Sequence, residues 1–399
     1  MINKILKSKN QKGAVSLFVV VFAALLITVV VVSFTRIMIN DQQQASTVDL
    51  SQSAYDSAQA GVEDGKRALL RYQNVCNDSD IASCNKAADV VNSAKCNAGL
   101  ENISTVVDGE VKIQQRVGDN ALDQAYTCVK IALNTNDYLG TLQTDSSNVI
   151  PLFSKAPFDT VLLEWYTADD LQSHDNLSVD LLPASSFSFP LINSWPINRP
   201  SIMRTQLMQV GSNFTLNDFD SINSAGQSNA NTLFLYPLGT TGISSNTIDS
   251  KDMAARDLRR SSVSGPQPTT CSGSLTSGGY ACSTKLVLPV PVNGGNRTAF
   301  LRLTSMYNKA HYRVLLLDST KPCDLNQFQG LGCIQFDGIQ PEIDSTGRAN
   351  DLFRRVVSRV ELRDVNYPYP DAAVNVTGNL CKDFLVTNKT TDYKNNCTP

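Results

Sequence analysis

From Ala14 to Phe34 the chain reads AVSLFVVVFAALLITVVVVSF, 21 residues without a charge, bounded by Lys12 and Arg36. At about 1.5 Å per residue a helix of this length spans a hydrocarbon core of about 30 Å. A secretory signal core is shorter, about 7–15 residues, and ends near a small-x-small site. The stretch therefore reads as a lasting transmembrane helix. Lys4, Lys7, Lys9 and Lys12 precede it with no acid among them, and every cysteine follows it. That asymmetry places the N-terminus in the cytoplasm and the body outside.

The helical pattern does not stop at the membrane. Ile37, Val48, Tyr55, Ala58, Val62, Leu69 and Tyr72 fall on steps of three, four, seven or eleven, and no proline occurs before Pro151. This narrow apolar stripe predicts one helix from Ala14 to about Tyr72, about 90 Å long. Residues 14–35 form its lipid half and 36–75 its extracytoplasmic half, polar elsewhere at Asp41, Gln42, Gln43, Gln44, Ser51, Gln52 and Ser53. So thin a stripe packs against the chain's own head or against neighbouring copies. The plain alternative is a stalk beneath a membrane-anchored ectodomain.

Ten cysteines form an even set: Cys76, Cys84, Cys96, Cys128, Cys271, Cys282, Cys323, Cys333, Cys381 and Cys397. There is no CxxC and only two histidines, His174 and His311, which argues against zinc and for disulfides in an oxidising compartment. Proximity suggests Cys271–Cys282, Cys323–Cys333 and Cys381–Cys397, with two more bridges among Cys76, Cys84, Cys96 and Cys128; spacing does not fix connectivity.

The head, 76–399, reads as β-rich, giving an α+β chain: a long N-terminal transmembrane helix carrying a large disulfide-bonded β head. Strand-like stretches begin at Ile103, Ala125, Thr160, Ser201, Asn231, Lys285, Ala299, His311 and Phe353, giving nine or more strands, with no convincing long helix after Tyr72. Trp165 and Trp195 belong in the core or at its margin. Residues 239–284, rich in Ser, Gly, Thr and Asn, read as a surface excursion between a first β part (76–238) and a second (285–399).

Chemistry is sparse. GxSxG, HExxH, GxxxxGK[ST] and GxGxxG are all absent. His174, in LQSHDN, reads as a loop residue, and His311 opens a strand without an evident acid or nucleophile. Glu164 with Asp169 could mimic the carboxylate couple of a glycosidase, but acids in an acidic protein also pair by chance. No cofactor is expected beyond calcium, for which the oxygen-rich candidates are NDSD (77–80) and Asp337, Glu342 and Asp344 around Gly338. Each offers only three or four of the six to eight oxygens that calcium takes. The chain carries 34 basic and 37 acidic residues, and removing the four lysines of the first thirteen leaves a net charge of −7, which makes nucleic acid an unexpected partner.

A lysine-bearing leader ending Lys12-Gly13, an apolar stretch opening Ala-Val-Ser-Leu and a continuous helix into a cysteine-bonded head together resemble type IV pilins and pseudopilins. AYDSAQAGVEDGKRALL (54–70) is similar to the AxxAGxExA stretch of PilX-type minor pilins and K-type pseudopilins. The resemblance covers about residues 1–72. It implies cleavage between Gly13 and Ala14 by a prepilin peptidase, with Lys12 helping the leader engage, and N-methylation of the new terminus at Ala14. Major pilins carry a glutamate at mature position five, which would be Phe18 here. That acid pairs with the amine of the subunit assembled before it, and PilX-type and K-type proteins lack it. Phe18 makes no such pair, whereas the Ala14 amine remains available to the next subunit. The resemblance thus implies a non-enzymatic, tip-type minor subunit. Its partners are other pilin-like subunits and the peptidase, and it lies in the cell membrane before assembly and on a pilus or cell surface after it. The alternative is an uncleaved, membrane-anchored extracytoplasmic binding protein.

Overall fold

A computed structural model describes residues 12–78, 80–100, 103–113, 123–172, 178–182, 194–209, 230–239, 248–255, 265–275, 279–294 and 299–362. Helix α1 runs unbroken over Lys12–Asp78, 67 residues, about two turns past the expected end at Tyr72. A short helix, α2 (Ile81–Val91), follows at once. Its N-terminus is capped by Asp80, whose carboxylate accepts from the Ser83 amide at 2.8 Å. One member of the NDSD calcium candidate is thus a helix cap.

The described residues form fifteen strands: β1 (Val111–Lys112), β2 (Gln124–Thr135), β3 (Tyr138–Leu142), β4 (Ser147–Pro151), β5 (Phe158–Trp165), β6 (Ile202–Gln209), β7 (Ala230–Gly239), β8 (Asp249–Asp252), β9 (Gln267–Cys271), β10 (Cys282–Val292), β11 (Ala299–Met306), β12 (Ala310–Leu317), β13 (Cys333–Ile334), β14 (Phe336–Ala349) and β15 (Leu352–Arg359). Two sheets result. One has the order β1-β2-β14-β15. The other runs β13-β12-β5-β10-β9-β7-β6-β11-β4, with β3 also paired to β12 and β8 to β10.

The chain divides into two compact units, 1–130 with 343–358, and 131–342 with 359–399, so that the boundaries fall inside β2 and β14 and before the last residue of β15. The first holds α1, α2 and most of the four-stranded sheet. The second holds the large sheet, whose alternating strands follow the two-residue period of the backbone. On β6 and β11, for example, Leu207 faces Leu301 in register, and both are buried with Met203 and Leu303. Trp165 lies in this same core and donates from Nε1 to the Ser201 carbonyl at 3.1 Å. Trp195 is buried at the margin, stacked on Tyr307 with ring centroids 4.3 Å apart.

Residues 239–284 do more than decorate the surface. They supply β8, parallel to β10, and β9, parallel to β7, and Cys271 faces Cys282 across the β9–β10 pair. The described cysteines form four disulfides: Cys76–Cys84, Cys96–Cys128, Cys271–Cys282 and Cys323–Cys333. The two expected pairs within the described region are present, and the undecided four resolve as 76 with 84 and 96 with 128. Cys381 and Cys397 lie outside the described residues.

Candidate functional site

The features that carried a functional reading lie along α1 and in the strand that packs against it. Among the described residues this is the one helix long and apolar enough to cross a membrane. Gly13 and Ala14 stand in its first turns. Phe18 is 75% exposed, and every large apolar side chain from Leu17 to Ile39 is likewise unpacked. Among the described side chains of this half the hydroxyls are satisfied within the helix: Thr28 donates to the Leu25 carbonyl, Ser33 to Val29 and Thr35 to Val31, each at 2.8 Å. Such back-bonding leaves none of these three hydroxyls an unmet donor, as an apolar medium requires. Exposure continues past the lipid-length stretch, through Ile37, Met38, Ile39 and Val48.

The character of α1 changes at Ala54. Ala54, Ser57, Ala58, Val62, Ala68 and Leu69 are buried, and Gly61 and Gly65 lie on the same face. Small residues at helical spacing let the helix backbone come close to β14. A methyl group on Gly347 would sit 2.2 Å from both the Ala54 carbonyl oxygen and the Ala58 amide nitrogen. One on Gly61 would meet the Ser345 hydroxyl at 2.3 Å, and one on Gly65 the Ile343 side chain at 2.8 Å. Ile343, Ser345, Gly347 and Ala349 alternate toward the helix, while Asp344, Thr346 and Arg348 are half-exposed on the opposite face.

Polar contacts fix the register. Asp64 accepts from the Tyr126 hydroxyl at 2.6 Å and from Ser104, and its other oxygen pairs with Arg67 at 2.8 Å. Burial and then the bond to Asp64 hold the Tyr126 phenol well above its ordinary pKa, so it stays a donor. Arg354 of β15 donates from Nε and Nη2 to Ser51 Oγ at 2.8 and 2.6 Å. Tyr126→Phe removes a buried hydrogen bond to a charged acceptor and is expected to destabilise the first unit by about 1.5–3 kcal/mol, read as a lower denaturation midpoint with an unchanged m-value.

The sequence stripe marked this interface in part. Ala58, Val62 and Leu69 are buried, but Ile37, Val48 and Tyr55 are exposed and Tyr72 is only half-buried. Sequence reasoning passed over the small-residue face of Ala54, Ser57, Gly61 and Gly65; its signal was the three- and four-residue spacing of small side chains within AYDSAQAGVEDG.

The calcium candidates do not converge. Asp337, Glu342 and Asp344 lie along one strand, and at about 3.3 Å per residue Asp337 and Glu342 are roughly 16 Å apart. Each carboxylate faces a cation instead: Asp337 with Lys155 at 3.6 Å, Glu342 with Arg359 at 2.9 Å, and Asp344 with Arg355 at 2.6 Å. No group of three or more His, Cys, Asp or Glu side chains arranged to hold a metal occurs among the described residues.

The remaining titratable candidates are structural in their contacts. Glu164 is held by Arg313 Nε at 2.6 Å, while Asp169 offers its backbone carbonyl to Lys309. His311 does have an acid neighbour, which the sequence did not reveal: Asp170, buried, with Oδ1 at 2.7 Å from Nδ1. The other carboxylate oxygen of Asp170 accepts from the amides of His311 and Thr167, closing the turn at 168–170. His174 lies outside the described residues.

No protein-family model, no curated protein and no solved structure matches this chain.

Proposed function

We propose that this chain is a non-enzymatic, tip-type minor subunit of a type IV pilus or type II secretion-like fibre, cut after Gly13 and methylated at Ala14. The observation that carries this reading is the two-part character of α1. Leu17 to Ile39 expose a continuous apolar surface somewhat longer than a bilayer needs, with Val48 exposed beyond it, whereas 54–69 are locked into the four-stranded sheet. A solvated stalk would leave Ile37, Met38, Ile39 and Val48 in water, at about 25 cal/mol per Å² of apolar surface. Packing against helices of neighbouring copies buries them. Before assembly the lipid-length stretch holds the chain in the membrane, and afterwards the same surface contacts other subunits.

Phe18 sets the position in the fibre. An acid four residues beyond Ala14 would require a compensating amine from a preceding subunit, since an unpaired carboxylate in lipid is unfavourable by up to about 2.5–3.5 kcal/mol. Phe18 has no such requirement, so the subunit enters lipid alone and starts a fibre, while its freed Ala14 amine receives the next subunit. The disulfide-bonded head then faces outward, ahead of the growing fibre, where four bridges suit an oxidising exterior. Immunogold labelling of the head on sheared fibres tests this placement. Gold at fibre ends is expected, and gold confined to the cell envelope, absent from every fibre, would refute it.

A further inference from the structure

We propose that a cleft in the second unit binds a single neutral sugar ring, a property that does not depend on whether the chain is cut or polymerised. The cleft has a volume of about 380 Å³ and is lined by Asn134, Asn136, Lys155, Leu331, Gln335 and Asp337, among others. That is the small end of the range for ligand pockets, room for one ring with its hydroxyls.

Its chemistry is that of paired amides. Gln335 Nε2 donates to Asn136 Oδ1 at 2.8 Å. This leaves the Nδ2 donors of Asn136 and the Oε1 acceptor of Gln335 with no other hydrogen bond among the described residues. Asn134 adds a third amide side chain to the same lining. Adjacent donors and acceptors match sugar hydroxyls, each of which both donates and accepts. Lys155 and Asp337, 3.6 Å apart, offset each other's charge, so the lining favours neither an anion nor a cation.

The rim supplies the apolar half of such a site. Leu331 is 78% exposed beside the amides, where it meets the C–H face of a ring. It is held there by a loop fixed several times over. Cys323 and Cys333 bridge the loop ends, Asp324 and Gln329 exchange backbone hydrogen bonds at 2.8 and 3.2 Å, and Phe328 packs on the Leu162, Leu315 and Leu317 cluster. Phe328 adopts φ +49°, uncommon for a bulky side chain. Gly330, at φ +123°, stands where a methyl group would lie 2.4 Å from the Pro322 carbonyl oxygen. A backbone constrained in this way to present one exposed leucine next to unmatched amides is the arrangement expected of a preformed binding rim.

The test is titration calorimetry of the full chain in lipid nanodiscs with D-glucose, D-galactose, N-acetyl-D-glucosamine and lactose. At least one is expected to bind saturably with Kd of about 1 mM or tighter. The double variant Asn136→Ala/Gln335→Ala is expected to weaken that binding at least tenfold, about 1.4 kcal/mol, and Leu331→Ser to weaken it in the same direction. All three positions are solvent-facing, and unchanged near-ultraviolet circular dichroism verifies that the variants fold. Failure of every probe to saturate by about 10 mM overturns the proposal. So does a sugar that binds the double variant as tightly as the natural chain.

Discussion

Gly347→Val is expected to destabilise the first unit by more than about 3 kcal/mol, because no rearrangement of side chains relieves it. The atoms that a Cβ would meet, the Ala54 oxygen and the Ala58 nitrogen, are backbone atoms of α1, each at 2.2 Å. Either the helix lifts from β14, exposing Ala54, Ala58 and Val62, or the strand withdraws and opens the β2–β14 pairing. Gly61→Val is the milder comparison, since the Ser345, Val129 and Tyr126 atoms it meets belong to side chains. Gly273→Ala supplies the control: nothing lies within 4 Å of its added methyl, and a change within about 0.5 kcal/mol is expected. Chemical denaturation of the three variants, followed by circular dichroism, ranks them, and a Gly347→Val midpoint equal to the natural chain's would contradict the close helix–strand approach.

Gly13→Leu is expected to leave the chain uncut in cells that contain a prepilin peptidase, with the head still folded and still attached to the membrane. The expectation separates two roles that the same residues otherwise serve together. Attachment rests on the apolar run from Ala14 to Phe34, which the substitution leaves intact; under the proposed function, entry into a fibre requires an amine at Ala14 that only cleavage would create. The variant should therefore accumulate in the membrane fraction and vanish from sheared fibres. Equal recovery of Gly13→Leu and the natural chain in fibres would remove cleavage from the mechanism.

The helix was legible because two independent signals agree on it, the charge-free stretch and the proline-free periodicity that follows. The helix runs three to six residues past the end expected at 72–75, since Cys76, Asn77 and Asp78 continue it without an apolar face to mark it. Long alternating strands such as β6, β11 and β12 were also readable. The strand β14 was not, for it contains Gly338, Pro341, Asp344 and Gly347, residues depleted in sheets, and its acids looked like a cation loop. Pairing with β2 and β15 and packing on α1 override that local preference, and the glycine that weakens the strand pattern is the one the helix needs. The strands β8 and β9 were hidden for a related reason: short and polar, they are specified by partners distant in sequence, β10 and β7. The Asp170–His311 pair joins residues 141 apart, a separation no local pattern reveals.

The N-terminal sequence and intact mass of the protein recovered from its native membrane and from sheared fibres bear most directly on the proposed function. A chain that begins at methylated Ala14 in both fractions is the expected result. An intact Met1 in cells whose peptidase cuts other prepilins would contradict it and leave an anchored ectodomain, with α1 as a plain membrane helix.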